Sequence, residues 1–347
     1  MAQNQFKSGN SLSTKSKIIW RVLQFVFFCV GLTIFTSLLF YPKLGLYLLW
    51  NILIPIAPLL LVISVGLWRN VCPLATMVLL PRHLNLSKKK KISPSLQSKL
   101  GFLSVIALLL VVPARHLIFN TNGNATAFLL LMTVVTGVIM GYIFDWKSGW
   151  CSSLCPIHPV EKLYGVNTLV SLPNAHCQTC AKCTVPCPDS TPNMHPKIVQ
   201  KNFFQRASSK LLVGGFPGFV WGYFQVPDFV APIKASNILD CYLLIYSATI
   251  VSLLIYFVLS NTISQKHEGT LTKVFAAFAV SCYYWFRIPN LFGFGKFKNE
   301  GLLINLESKV PVWGIYLAII ALSAFFFYWL VVRKTNKKSW VIRPAYS

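Results

Sequence analysis

The chain has 347 residues, 55% of them hydrophobic and 12% charged, and a mean hydropathy of +0.59; that leaves too little polar surface to cover a soluble globule. Its 32 Lys and Arg stand against 8 Asp and Glu, a formal charge of +24; with no nucleic-acid module in the sequence, this excess reads as membrane topology and excludes nucleic acid as the partner. Several uncharged apolar runs reach the roughly 20 residues that a bilayer-crossing helix needs, so the composition predicts an all-α polytopic membrane protein.

Segment 1–17 is polar and basic and is expected in the cytoplasm. The apolar run at about 18–40 is too long for a signal-peptide core and is followed by no A-x-A cleavage pattern, so it reads as a retained helix. After the turn YPK, a second span covers about 44–67. Pro55 and Pro58 are expected to kink it and to leave backbone groups that neighbouring helices must satisfy. The loop 68–99 carries seven Lys or Arg and no acid, which places it in the cytoplasm, with Lys88 to Lys91 against anionic head groups. Spans at about 100–120 and 126–145 complete a four-helix membrane scaffold, 18–145.

Residues 146–210 form the longest polar stretch, with seven Lys or Arg and six of the ten cysteines, and read as a second cytoplasmic loop. The segment 211–233 is apolar but holds Gly214, Gly215, Pro217, Pro227 and Asp228. Spans at about 237–260, 271–291 and 311–332 complete a C-terminal membrane region, 211–332, before the basic tail 333–347. Seven helices leave that five-charge tail outside; eight place it inside. The tail's charge favours eight, whereas the Gly, Pro and Asp of 211–233 favour a re-entrant or surface segment.

Cys29, Cys241 and Cys282 lie within apolar spans and are expected to pack as small apolar side chains. His116, beside Arg115 near the end of span three, has no second intramembrane histidine to make a haem pair, and an interfacial or quinone-facing role is its less favoured reading. Asp240 faces either a cavity or the interface.

The chemistry sits in HCQTCAKCTVPCPDS, which places Cys177, Cys180, Cys183 and Cys187 within eleven residues, followed by Pro188. The spacing C-x2-C-x2-C-x3-C-P matches the bacterial ferredoxin run: cysteines at successive three-residue steps let a tight backbone wrap one face of a cubane. Structural zinc is the competing reading, but its ligands usually come as two pairs separated by a longer span. Cytoplasmic placement argues against disulfides. In two-cluster ferredoxins the fourth cysteine ligates the other cluster, so the remaining loop cysteines, Cys72, Cys151 and Cys155, form a possible second site with Cys187. Seven cysteines do not fully ligate two cubanes, and His158, His176 and Asp189 are the nearby non-cysteine candidates. One complete 4Fe–4S cluster on the run, with the other three cysteines as a separate redox or metal element, is the favoured arrangement.

An internal echo links these parts. Aligning GLWRNVCPLATM (66–77) with GWCSSLCPIHPV (149–160) pairs Cys72 with Cys155, Pro73 with Pro156 and Gly66 with Gly149, and sets Trp68 against Cys151. Each copy follows a helix hairpin, as a duplicated scaffold would have it.

Through WCSSLCP, the half-match WRNVCP and the four-cysteine run, the region 45–190 resembles the NapH/NosR/CcoG-type membrane iron–sulfur proteins. It departs from them at Trp68, in having one ferredoxin run, and in the spans after 236. To the seven or eight transmembrane helices of the span count, the resemblance adds a small ferredoxin-like iron–sulfur loop domain, expected on the cytoplasmic side of the inner membrane. It also implies a component of an oxidoreductase system that transfers electrons between a quinol pool or soluble carrier and a partner redox protein in or at the membrane. A maturation or redox-sensing factor for a metalloenzyme is the alternative; in it Cys72, Cys151 and Cys155 would handle the partner's metal.

Overall fold

The computed structural model describes residues 13–165, 168–176, 202–264, 267–297, 300–334 and 341–342. Among them six helices are long and apolar enough to cross a membrane: Thr14–Phe40, Pro42–His83, Pro94–Phe119, Gly123–Ile143, Ala235–Thr262 and Val312–Val332. Large apolar side chains on their outer faces, such as Phe25, Val135, Leu254 and Leu317, are exposed; a lipid tail solvates these faces and water does not. The chain is an all-α, multi-pass membrane protein.

Local signals in the sequence start several of these helices. Ser13 caps α1 (Thr14–Phe40), and Ser93, with Pro94 behind it, caps α5 (Pro94–Ala114, extended by a π turn over Arg115–Phe119). Between these two, α2 (Pro42–Leu46), a π turn over Tyr47–Leu53 and α3 (Ile54–Val71) make one long element. After Cys72 the chain continues as α4 (Pro73–His83). The loop expected over 68–99 is thus helical for much of its length, and its basic end is laced to α6 (Gly123–Ile143). There the amides of Lys88 and Lys90 donate to the carbonyls of Tyr142 and Ile143. Asn122 caps α6.

Pro55 and Pro58 do not break α3; the non-helical residue is Ser64, at φ −152° and ψ 78°. A neighbouring helix accounts for the difference. From α11 (Glu268–Phe292), the Tyr284 hydroxyl inserts between Pro55 and Leu59, donating to the Pro55 carbonyl at 2.7 Å and accepting the Leu59 N–H at 3.0 Å. It replaces the helix bond that the prolines disturb. Tyr284→Phe is expected to cost about 1–3 kcal/mol, because two buried backbone groups lose their partner while the ring still packs; unfolding in detergent at matched micelle composition measures it.

The segment expected at 211–233 starts earlier and is helical only in part. α8 (Phe203–Lys210), capped by Asn202, passes through a π turn over Leu211–Gly215 into α9 (Phe216–Tyr223). The run is roughly 30 Å long at the usual rise per residue. Its two ends meet the two ends of the α5 element: Asn202 Nδ2 donates to Ser98 Oγ at 2.9 Å, and His116 Nε2, in the π turn, lies 2.9 Å from the Tyr223 carbonyl. Its glycines let it approach α10 (Ala235–Thr262) closely. A Cβ on Gly218 would fall 2.0 Å from the Ala248 carbonyl oxygen, and one on Gly222 would fall 2.9 Å from Ile245 Cα. Pro227 and Asp228 come after the helix has ended.

The largest core cluster joins Val62 of α3, Leu163 of α7 (Ile157–Tyr164), Leu212, Ala277 of α11, and Phe326 of α12 (Val312–Phe327, extended by a π turn to Val332). A short parallel pair, β1 (Leu172–Pro173) with β2 (Val341–Ile342), brings the backbone of the C-terminal tail beside residue 173. The Pro173 carbonyl accepts a 2.8 Å bond from Asn70, so the tail returns to the Cys72 end of the bundle.

Candidate functional site

Proline imposes the same backbone break on both Cys-Pro elements. A residue before proline is pushed out of the helical region, and Cys72 takes φ −57°, ψ 118° while Cys155 takes φ −61°, ψ 120°. Ahead of each break the cysteine amide closes a helical turn, Cys72 N–H on the Trp68 carbonyl and Cys155 N–H on the Trp150 carbonyl, both at 3.0 Å. Beyond each break a new helix begins, α4 at Pro73 and α7 at Ile157. The echo between 66–77 and 149–160 is therefore also an echo in backbone geometry. The copies differ at one point: Cys151 lies in a π turn, Trp150–Leu154, so the Cys155 amide reaches five residues back and not four.

A buried polar knot binds the two elements. Arg69 Nη1, three residues before Cys72, donates to Glu161 Oε2 and lies 3.0 Å from His158 Nδ1. The same guanidinium reaches the Cys151 carbonyl at 3.4 Å. Arg69 and Glu161 are each 4% exposed and His158 is 3%. Burial pushes the Glu161 carboxyl up, but Arg69 and His158 outweigh it and hold it below the usual carboxylate range. Burial, then the Lys162 charge, pulls His158 down to about 4, so the imidazole is neutral at neutral pH. Its Nε2 is buried with no hydrogen-bond partner among the described residues. Burial likewise draws the Lys162 ammonium down to about 8, helped by Arg69 and opposed by Glu161.

Burial pushes the Cys155 thiol well above its ordinary value; Glu161, Cys151 and Cys72 add to the effect and the Ile157 amide opposes it. The Arg69 bond to the Cys151 carbonyl brings the two Cys-Pro elements together. Among the described residues, no three His, Cys, Asp or Glu side chains are gathered so as to hold a metal ion.

Cys177, Cys180, Cys183 and Cys187, with Asp189, lie outside the described residues. The segment leading into them is firmly placed. Asn70 is fully buried. Its Nδ2 donates to the Pro173 carbonyl at 2.8 Å and its Oδ1 accepts the Ala175 N–H at 3.1 Å. His176, the residue before Cys177, is 4% exposed. The chain is thus pinned at Ala175, two positions before Cys177 in sequence, to a residue two positions before Cys72.

The other candidates are at different places. Cys241 and Cys282 are buried in helix contacts, as expected of packing residues. Asp240 is exposed in the first turns of α10. His116 is buried at the opposite end of the bundle, with Nδ1 2.7 Å from Asp228 Oδ1. Sequence reasoning missed Arg69, Asn70 and Glu161; the one signal available was the rarity of acids, eight in the whole chain, which makes each a marker for a buried partner. Comparison of the chain with family models, with curated proteins and with solved structures finds no match.

Proposed function

We propose that the chain is a membrane-bound electron-transfer protein in which Cys177, Cys180, Cys183 and Cys187 hold one 4Fe–4S cluster at the Cys-Pro end of the bundle. Electrons would pass between a quinol pool or soluble carrier and a redox protein in or at the membrane. The observation that supports this reading is the double clamp of Asn70 on Pro173 and Ala175, which holds the segment just ahead of the four-cysteine run at the Cys72 end of the bundle. The cluster, when bound, supplies one-electron chemistry. The chain's own residues position it: Asn70 fixes the entry to the run, and the Arg69–Glu161 pair locks the two Cys-Pro turns against each other. Cys72, Cys151 and Cys155 stand beside it as a separate thiol group.

The topology that fits is eight crossings in the inner membrane. The helical run 203–223 has the depth of α5, and the tail backbone at 341–342 shares an end with Asn70; an even number of crossings gives both. The basic charge of 82–99 and of the tail supports a cytoplasmic location for that end and for the cluster loop.

Protein purified without oxygen is expected to contain about four iron and four acid-labile sulfide per chain, with an electron paramagnetic resonance signal after reduction. Both vanish in Cys180→Ser. A Cys72→Ser, Cys151→Ser, Cys155→Ser triple variant keeps the full iron content. Stoichiometric zinc without sulfide overturns the reading, and loss of half of a doubled iron content in the triple variant replaces one cluster with two.

A further inference from the structure

At the end of the bundle opposite the Cys-Pro elements lies a cavity of about 590 Å³. Two arginines line it, and neither forms an ion pair with a carboxylate among the described residues. Arg287, on α11, is 7% exposed. Its Nη2 donates to the Trp50 carbonyl at 2.5 Å and to Asn51 Oδ1 at 2.9 Å. Its Nε is buried without a hydrogen-bond partner among the described residues. Gly301, at φ +65°, makes room for this guanidinium, since a Cβ there would lie 2.3 Å from Arg287 Nη1. Arg115 stacks 3.8 Å above the Trp50 ring and donates from Nε to Asn120 Oδ1 at 3.2 Å. Both guanidiniums are thus braced by neutral groups, and Lys43 lines the same space.

The two acids of the cavity are engaged elsewhere. Asp228 Oδ1 meets His116 Nδ1 at 2.7 Å and accepts from Asn120 Nδ2 at 2.7 Å. Because a carbonyl can only accept, His116 Nε2 carries a proton toward Tyr223, and the ring is held between two acceptors. Glu300 accepts the Asp228 N–H at 2.9 Å. Burial raises its carboxyl to about 6, which weakens it as a counter-charge at mildly acid pH.

A cation removed from water without a counter-ion, as Arg287 is, is costly, and a fold that sets a second, half-buried guanidinium on the same cavity has a use for an anion. Guanidinium forks match the oxygens of a phosphate group, each offering parallel N–H donors. The volume is that of a site for a small organic molecule, several times what a bare ion needs. We infer that this cavity binds a phosphate group carried on a larger body, held between Arg115 and Arg287 with Lys43 at the rim. The chemistry is the same whether the phosphate belongs to a phospholipid head group or to a soluble organic phosphate, and it is independent of the iron–sulfur reading.

The test uses the full chain in phosphatidylcholine nanodiscs, titrated calorimetrically with glycerol 3-phosphate. In parallel, native mass spectrometry follows phosphatidylglycerol retained from mixed discs. A soluble ligand gives saturable glycerol 3-phosphate binding, weakened at least tenfold by Arg115→Gln and by Arg287→Lys. A head-group ligand gives retained phosphatidylglycerol on the wild type, lost in both variants, with no calorimetric signal. Arg115 is only half-buried, so Arg115→Gln carries the test if Arg287→Lys does not fold. The inference is overturned if neither probe binds, or if the folded variants bind as the wild type does. Iron and sulfide content stays at the wild-type value in either variant, which separates this result from any failure of the cluster assignment.

Discussion

Glu161→Ala is expected to destabilise the protein by about 3–5 kcal/mol, the usual consequence of leaving one member of a buried ion pair without its partner. The stranded group is Arg69, 4% exposed and fixed at the end of α3 by the chain on either side. In the wild type the two bond directly, and His158 Nδ1 lies 3.0 Å from the same guanidinium nitrogen. Glu161→Gln should cost less, since a carboxamide oxygen still accepts from the guanidinium. Replacing both partners by apolar residues, Arg69→Met with Glu161→Leu, should recover most of the loss, because the desolvation of two charges disappears together. Chemical unfolding followed by tryptophan fluorescence gives the three numbers. An alanine variant within about 1 kcal/mol of wild type would mean that the knot does not hold the Cys-Pro turns together. The pH dependence has a definite sign. Glu161 titrates below its ordinary value in the folded state, and so does His158, at about 4. The unfolded chain therefore binds more protons than the folded one in acid. The stability these two groups contribute is complete above about pH 6.5 and drains away as the pH falls toward 4.

This knot also shows where a single sequence stops being informative. Hydropathy finds the long helices well: the runs expected at 237–260 and 271–291 fall inside Ala235–Thr262 and Glu268–Phe292. That signal is a local average and survives without knowledge of neighbours. The Cys-Pro breaks obey an equally local rule, since proline acts on the residue before it. Pairings over long separations were not. Arg69 and Glu161 are 92 residues apart, and His116 and Asp228 are 112 apart; no local pattern connects either pair. Asp228 was read as an argument against a crossing helix, yet it lies beyond the helix end and serves as the partner of a histidine that was itself singled out. Pro55 and Pro58 carried a correct warning about unsatisfied backbone and a wrong location for the bend, because the remedy is a tyrosine on another helix.

The glycines of 211–223 are the sharpest case, and they supply the second large effect: Gly218→Ala should separate α9 from α10 and cost more than the roughly 1–3 kcal/mol typical of an overpacked site. In sequence, glycine and proline together read as a reason to leave the membrane. In space, Gly218 is where two helix backbones meet. A methyl group there would sit 2.0 Å from the Ala248 oxygen, 2.6 Å from the Ala248 carbonyl carbon and 2.7 Å from Ser252 Cβ. Two of these three atoms are backbone and cannot rotate away, so relief requires the helices to part. The same seam carries the Ser252 hydroxyl bond to the Gly214 carbonyl at 2.6 Å, which parting would break. Gly101→Ala is the matched control: it lies inside α5, and a Cβ there meets nothing within 4 Å. That variant is expected to be neutral or stabilised by about 0.5–1 kcal/mol, through the lower entropy of its unfolded chain. Thermal unfolding of the pair in one detergent reads the difference. Because α9 ends at Tyr223, whose carbonyl holds His116, Gly218→Ala should also shift the His116 ring signals in NMR spectra while Gly101→Ala leaves them in place. Equal midpoints for the two variants would sink the close-approach reading and return 211–223 to the interpretation its composition first invites.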